Sequence, residues 1–134
     1  MPIVYARRNP SRSGFNLKGL LTQTINRVLP AIVAKNMRDG RHPDLPETHV
    51  EIRWSDAGSD DINGDMLSFE IIGLISEERF ETIDEREQAI NDELALHIPS
   101  NISCNCFIIL VSGAFHRVPG RAAPLIVRPP VGTM

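Results

Sequence analysis

The sequence contains little of what marks a secreted, membrane-bound or nucleic-acid-binding protein. Its only two cysteines, Cys104 and Cys106, stand two positions apart on a predicted strand, where both face one side and are poorly placed to bridge. No apolar run approaches the roughly 20 residues of a membrane helix, and no signal peptide is recognisable. The net charge of −3 favours neither nucleic acid nor a membrane surface as a partner. We therefore expect buried thiols in a cytoplasmic protein.

The familiar motifs of metal and nucleophile chemistry are missing as well. Asp61, Asn63 and Asp65 begin like a calcium-binding loop. The glycine then falls at Gly64, and position twelve is Ile72, where a bidentate glutamate is required. The histidines lack metal-ligand spacing, the cysteines lack zinc-binding partners, and no Gly-x-Ser-x-Gly elbow or phosphate loop occurs. The sequence therefore predicts no metal and no cofactor.

The 134 residues do contain a regular succession of strand and helix patterns. Apolar residues make up 42% and charged residues 23%, which is typical of one globular domain. Alternating and β-branched runs predict strands, whereas apolar residues spaced by three and four predict helices. The strands are expected at 2–8, 48–54, 66–75 and 104–113, and the helices at 15–37 and 83–98.

Local signals refine the two helices. Pro30 stands inside the first helical stripe and removes a backbone donor, which predicts a kink or break near Val28. Thr82 and Glu85 have the spacing of a capping box at the start of the second helix. The polar segment 77–81 before them is expected to be a connector.

Strand, helix and strand therefore occur twice in succession. We predict an α+β fold of two layers, in which a tandem β-α-β repeat forms a four-stranded sheet with two helices on one face. The strands are apolar on both sides in places, at Ile71 and Ile72 and again at 107–111. Because a monomer would expose that second apolar surface, the pattern predicts an oligomer whose sheets pack against each other.

The second residue of the chain, Pro2, carries the main chemical hypothesis. Removal of Met1 leaves a free secondary amine, which titrates with a pKa near 8 in the absence of other influences. Burial or nearby cations disfavour the ammonium form, so such an amine is able to act as a base near pH 7 or to attack a carbonyl. The alternative interpretation is that Pro2 only begins a strand rigidly.

Several segments, taken in order, carry a resemblance to a known family. The chain opens Met1-Pro2-Ile3, and Arg12 follows ten residues later in the turn Ser11-Arg12-Ser13. The further carriers are NLKGLLTQTINRVLP, HVEIRWSDAG, LSFEIIGLISEERF, ERFETIDEREQAINDEL, IPSNISCNCFIILVSG and AFHRVPG. Together they resemble the tautomerase superfamily, also called tautomerase/MIF-like, and in particular its double-length members of the 5-carboxymethyl-2-hydroxymuconate isomerase type.

The resemblance implies a domain over residues 1–120, with halves of about 1–60 and 61–120, that assembles as a homotrimer. It implies an isomerase in which Pro2 moves a proton between the enol and keto forms of a small carboxylate substrate. Arg12 and Arg79 would anchor the carboxylate, Arg53 is a further candidate for substrate binding, and Phe115 would line the pocket. The proline-rich tail 121–134 is expected to pack on a neighbouring subunit.

One departure from the family pattern leaves alternatives open. Short tautomerases carry an arginine on the strand after the helix, and this sequence has Glu51 and Asn105 near those places. Arg53 would substitute only if its strand slipped by two residues. The alternatives are a decarboxylase or dehalogenase of the same superfamily, a non-catalytic oligomeric module of the same fold, and an unrelated assembly protein with the same element order.

Overall fold

A four-stranded mixed sheet organises the chain in the computed structural model, which describes residues 2–9, 17–58 and 65–112. Its strands are β1 (Ile3–Arg8), β2 (Glu51–Asp56), β3 (Leu67–Leu74) and β4 (Cys104–Val111). The helices are α1 (Thr22–Met37), α2 (Glu77–Glu81) and α3 (Ile83–Ala95), with a π-helical turn at Leu17–Leu21 and a 3-10 turn at Glu47–His49. The strand order is β2-β1-β3-β4, which confirms the predicted tandem repeat.

The pairing of the strands reveals the two halves. β1 pairs with β2 in parallel, and β3 pairs with β4 in parallel, as each β-α-β unit requires. The central pair, β1 and β3, is antiparallel, with Ile3 opposite Ile72 and Ala6 opposite Phe69. The start of β1 therefore lies beside the start of β2 and the end of β3.

The side chains of one sheet face form the core beneath the helices. Val4, Phe69 and Ile71 are fully buried and pack with Ile25 and Leu29 of α1. Apolar residues at i, i+3 and i+4 of a helix fall on one face, which is why α1 can cover this surface. The predicted arrangement of helices on one face of the sheet is confirmed.

Of the kink or break predicted at Pro30, the break is wrong. α1 is assigned as one uninterrupted helix from Thr22 to Met37 with Pro30 inside it. Apolar residues of α1 on both sides of Pro30 are buried against the sheet. The stabilisation from this packing exceeds the cost of one missing backbone hydrogen bond. The irregular backbone lies earlier, at Gly19, whose φ of −92° and ψ of −120° are not helical.

The start of the second helical region also differs from the prediction. Residues 77–81 are helical, and the true N-cap is Ser76, whose Oγ accepts a hydrogen bond from the backbone N of Arg79 at 3.2 Å. Thr82 makes no capping bond. Its hydroxyl donates to the carbonyl of Glu78 at 2.7 Å and accepts from Nε of Arg86 at 2.7 Å. The capping-box prediction is therefore wrong, because the helical turn begins six residues earlier than expected.

The face of the sheet opposite the helices has an apolar surface. Tyr5, Phe107 and Ile109 are 37%, 44% and 40% exposed in the single chain. They lie on alternate positions to the core residues of their strands, as the period of two requires. Exposed apolar residues thus lie on β1 and β4 of this face, with Glu70 of β3 between Tyr5 and Phe107.

Several predictions fall outside the described residues. Arg12, Phe115, the acidic loop at 59–64 and the tail 121–134 are among them. Within the residues that are described, no helix combines the length and apolarity needed to cross a membrane.

Candidate active site at the start of strand β1

Pro2 lies at the sheet edge where β1 begins. Its side chain is fully buried, and its carbonyl accepts a hydrogen bond from the backbone N of Glu51 at 3.2 Å. Because Ile3 faces Ile72 across the antiparallel pair, the same register carried one step further sets Pro2 across from Gly73. The Pro2 ring and Gly73 are therefore on the helix side of the sheet.

Because Gly73 has no side chain, side chains of neighbouring residues occupy the space where its Cβ would be. A Cβ atom built on Gly73 would stand 2.5 Å from Cε of Met37 and 3.8 Å from a methyl of Leu110. It would also stand 4.0 Å from Nη1 of Arg79. The absence of a side chain at this position lets the end of α1 and the Arg79 guanidinium approach the strand opposite Pro2.

A cavity of about 190 Å³ opens at this same edge. It lies between the turn 39–42 that follows α1 and the ends of β3 and β4, and Arg79 and Ser76 contribute to its wall. A larger space of about 640 Å³ adjoins the other side of the turn and is lined by α2, including Glu77, Glu78 and Glu81. Asp39 and Arg41 line both spaces, whereas Arg79 lines only the smaller one and the acids of α2 line only the larger one.

Arg79 is buried in this wall, with only 4% of its surface exposed. Its Nε donates to the carbonyl of Met37 at 2.9 Å, and its Nη1 donates to the carbonyl of Leu74 at 2.8 Å. Its Nε also lies 3.4 Å from Oδ2 of Asp39. Burial lowers the pKa of Arg79, and the charge of Asp39 counteracts part of that effect. The guanidinium therefore ties the end of α1 to the end of β3.

Asp39 is the buried counter-ion and the organiser of the turn. Its Oδ1 accepts hydrogen bonds from the backbone N of Arg41 at 3.0 Å and of His42 at 2.8 Å. Burial raises the pKa of Asp39, but hydrogen bonds from Ser76 and the turn, together with the charge of Arg79, outweigh it and hold that pKa below its usual value of 3.8. Asp39 is thus ionised at neutral pH and fixes the turn backbone.

Arg53 lies away from this cavity, on the open face of the sheet. Its Nε and Nη2 donate to the carboxylate of Glu51 at 2.9 and 3.3 Å, and its Nη1 donates to the Tyr5 hydroxyl at 3.4 Å. The hydrogen bond from Arg53 to Glu51 raises the pKa of Arg53. The register sets Glu51 opposite Ile3 and Arg53 opposite Tyr5.

Asn105 on β4 is the residue of the second half that corresponds to Glu51 in the sequence comparison of the two halves, and it is uncharged. Nδ2 of Asn105 donates to the carboxylate of Asp65. Oδ1 of Asn105 is buried and has no hydrogen-bond partner among the described residues. The two residues that the sequence resemblance aligns with the strand arginine, Glu51 and Asn105, are thus paired with Arg53 and Asp65.

The two cysteines are unpaired thiols on the helix side of β4. The pKa values of Cys104 and Cys106 are raised to about 12, and burial is the largest cause for both. They are therefore thiols rather than thiolates at neutral pH. Across 2–9, 17–58 and 65–112, no group of three histidine, cysteine or acidic side chains is placed to hold a metal ion.

The comparisons with known proteins bear on the fold. No protein-family model matches the chain, and no curated protein matches it. Among solved structures, that of Pt0534 inactivated by 2-oxo-3-pentynoate superposes with a TM-score of 0.52 at 12% identity, covering 90% of this chain and 94% of that one. Native fused 4-OT superposes with a TM-score of 0.50 at 11% identity, covering 90% and 95%. The chain has the tautomerase fold. The tautomerase resemblance read from the sequence is confirmed at the level of the fold, and at these identities the likeness extends no further.

The sequence drew attention to Pro2 and Arg79 but missed the turn between them. Asp39, Arg41 and His42 lie between the first predicted helix and the second predicted strand, and the topology brings them to this edge. In a β-α-β unit the connection from the helix to the second strand ends where that strand starts, which is also where the first strand starts. Polar residues in the segment after α1 were the available signal.

Proposed function

We propose that the processed chain is an isomerase of the tautomerase type in the cytoplasm, with Pro2 as the proton carrier and a small carboxylate as substrate. The observation that carries this proposal is the placement of Pro2. It is fully buried at the start of a central strand, at the sheet edge that also holds a cavity whose lining includes Arg41, Arg79 and Asp39. The tautomerase fold supports the same chemistry for the chain.

The proposed mechanism follows from that environment. Once Met1 is removed, burial disfavours the ammonium form of the Pro2 amine, so the nitrogen is neutral and able to accept a proton near pH 7. It takes the proton from the hydroxyl of an enol, the enolate electrons shift to carbon, and the same nitrogen returns the proton to that carbon. Arg79 lies in the wall, where Asp39 balances much of its charge, and Arg12 is proposed as a carboxylate anchor together with it. Phe115 is proposed to line the pocket.

A non-catalytic module of the same fold is the second candidate. The observation that favours it is the pairing of Glu51 with Arg53, because a carboxylate stands beside Ile3 where an arginine would polarise the substrate. Two donor groups of Arg79 are also occupied by backbone carbonyls. A decarboxylase or dehalogenase would use the same Pro2 amine, and only its substrate would differ.

The open face of the sheet supports a homotrimer as the working unit. Tyr5, Phe107 and Ile109 expose large apolar side chains to water in the single chain. Packing this face against other copies of the chain would remove that apolar surface from water. The tail 121–134 is proposed to pack on a neighbouring copy. Light scattering after size-exclusion chromatography should give a mass of three chains, and a monomer at micromolar concentration would contradict this assembly.

Covalent labelling tests Pro2 without knowledge of the physiological substrate. The probe is 2-oxo-3-pentynoate, an electrophilic 2-oxo acid. A neutral Pro2 nitrogen would add to its alkyne carbon β to the carbonyl, forming an N–C bond while solvent protonates the adjacent carbon. Intact mass should show one added probe molecule, and peptide mapping should place it on Pro2. A matched chain with a tag ahead of Pro2 carries an amide there and should not react; equal labelling of both would exclude the proposal.

A further inference from the structure

Arg41 presents a cation at the cavity that lies at the same edge of the sheet as Pro2. Arg41 lies in the turn after α1. It is exposed to solvent and lines the cavity of about 190 Å³. Its backbone N donates to Asp39 at 3.0 Å. Its guanidinium has no hydrogen bond or ion pair with any side chain or carbonyl in the described ranges. Within 2–9, 17–58 and 65–112, no residue therefore competes with a ligand for its five donors.

The charges around the cavity leave Arg41 as the net positive group. Asp39 and Arg79 are both buried and lie 3.4 Å apart, so their charges largely cancel. Glu78 is occupied by the backbone N of Gly40, to which its Oε2 lies at 2.5 Å. Arg41 and Asp39 also line the larger space, but Glu77 and Glu81 of α2 add negative charge there and disfavour an anion. An anion is therefore directed to the inner cavity.

The turn holds Arg41 in place. Asp39 binds the backbone N of both Arg41 and His42, and the Arg79 guanidinium holds Asp39 and the carbonyl of Met37. The backbone of the cation is thus fixed before a ligand arrives, which reduces the entropy lost on binding. Arginine also suits a planar carboxylate, because two parallel N–H groups meet its two oxygens.

We infer that Arg41 binds the carboxylate of the substrate in this cavity, with Asp39 and Arg79 as the positioning residues of the turn. The inference rests on the proposed function for the identity of the ligand as a substrate. Arg41 then supplies the cation that Glu51 and Asn105 lack. The volume of about 190 Å³ restricts the ligand to a short-chain acid, since drug-sized ligands occupy roughly 300–1,000 Å³.

A binding experiment with an unreactive acid tests Arg41 separately from catalysis. The probe is 2-oxopentanoate, which lacks the alkyne, titrated by calorimetry into the wild-type chain and into Arg41→Ala and Arg41→Lys. Arg27→Ala is the matched control, because Arg27 is an exposed arginine on α1 away from the cavity. Arg41→Ala should weaken binding about tenfold or more, Arg41→Lys by less, and Arg27→Ala by less than twofold.

The outcomes separate this inference from the proposed function. Binding by Arg41→Ala within twofold of wild type, an equal loss in Arg27→Ala, or no binding by wild type at millimolar probe would each overturn the role of Arg41. The same Arg41 dependence measured in the Pro2→Ala background would uphold the carboxylate site even if Pro2 labelling fails. Circular dichroism of each variant confirms that it is folded.

Discussion

Replacing Arg79 with methionine should destabilise the protein strongly. Methionine fills much of the space but removes the donors to the carbonyls of Met37 and Leu74, and it leaves Asp39 buried without its counter-ion. Removing one partner of a buried pair typically costs about 3–5 kcal/mol. For a chain of this size, that corresponds to a decrease in Tm of roughly 12–20 °C.

Urea unfolding followed by circular dichroism would measure the cost, with Asp39→Asn and the double variant completing a cycle. The double variant should lose about 1–3 kcal/mol less than the sum of the single variants, because the two residues interact directly. A loss below about 1 kcal/mol for Arg79→Met would refute the reasoning. It would mean that the guanidinium is hydrated in solution and is not a buried link between α1 and β3.

The pH dependence gives a second readout of the same pair. The pKa of Asp39 lies below its usual 3.8 in the folded chain, so the unfolded chain binds more protons between the two values. The stabilisation by ionised Asp39 is therefore present above about pH 4 and is lost as the pH falls through the folded pKa. The stability difference between wild type and Arg79→Met should accordingly shrink below pH 4.

Three further perturbations follow from the packing. Phe69→Ala removes a fully buried ring and should cost about 3–5 kcal/mol in urea unfolding; a cost under 1 kcal/mol would contradict its place in the core. Gly73→Val should cost about 1–3 kcal/mol, because its Cβ would meet Cε of Met37 at 2.5 Å, and an unchanged Tm would refute that contact. Cys104 and Cys106, with pKa values of about 12, should resist iodoacetamide at pH 8 until urea is added; rapid native alkylation would contradict their burial.

The fold was predictable because its signals are periodic and local. The alternation of Ile52 and Trp54 with Glu51 and Arg53 identifies both the strand and its faces, and the structure confirms it. The apolar stripe of α1 identifies a helix in the same way. The break predicted at Pro30 is not found, because a helix packed on a sheet tolerates one missing backbone hydrogen bond.

The site was only partly predictable because it depends on contacts distant in sequence. Arg79 is visible in the sequence as an arginine near a helix start, but its burial follows from a partner 40 residues earlier, Asp39. The importance of Ser76 as a cap was hidden by the equally plausible pair at Thr82 and Glu85. Local patterns predict elements, whereas the pairing of a buried charge requires the tertiary arrangement.

The most direct test of the central claim is the rate of enol-to-keto conversion of small 2-oxo acids with a free and a blocked Pro2. The same purified chain is compared with Met1 removed and with an N-terminal tag retained, alongside Pro2→Ala, and intact mass verifies each terminus. The account predicts a rate above buffer only when Pro2 is the first residue, with a large loss in Pro2→Ala. Equal rates from the free, tagged and Pro2→Ala chains would contradict it.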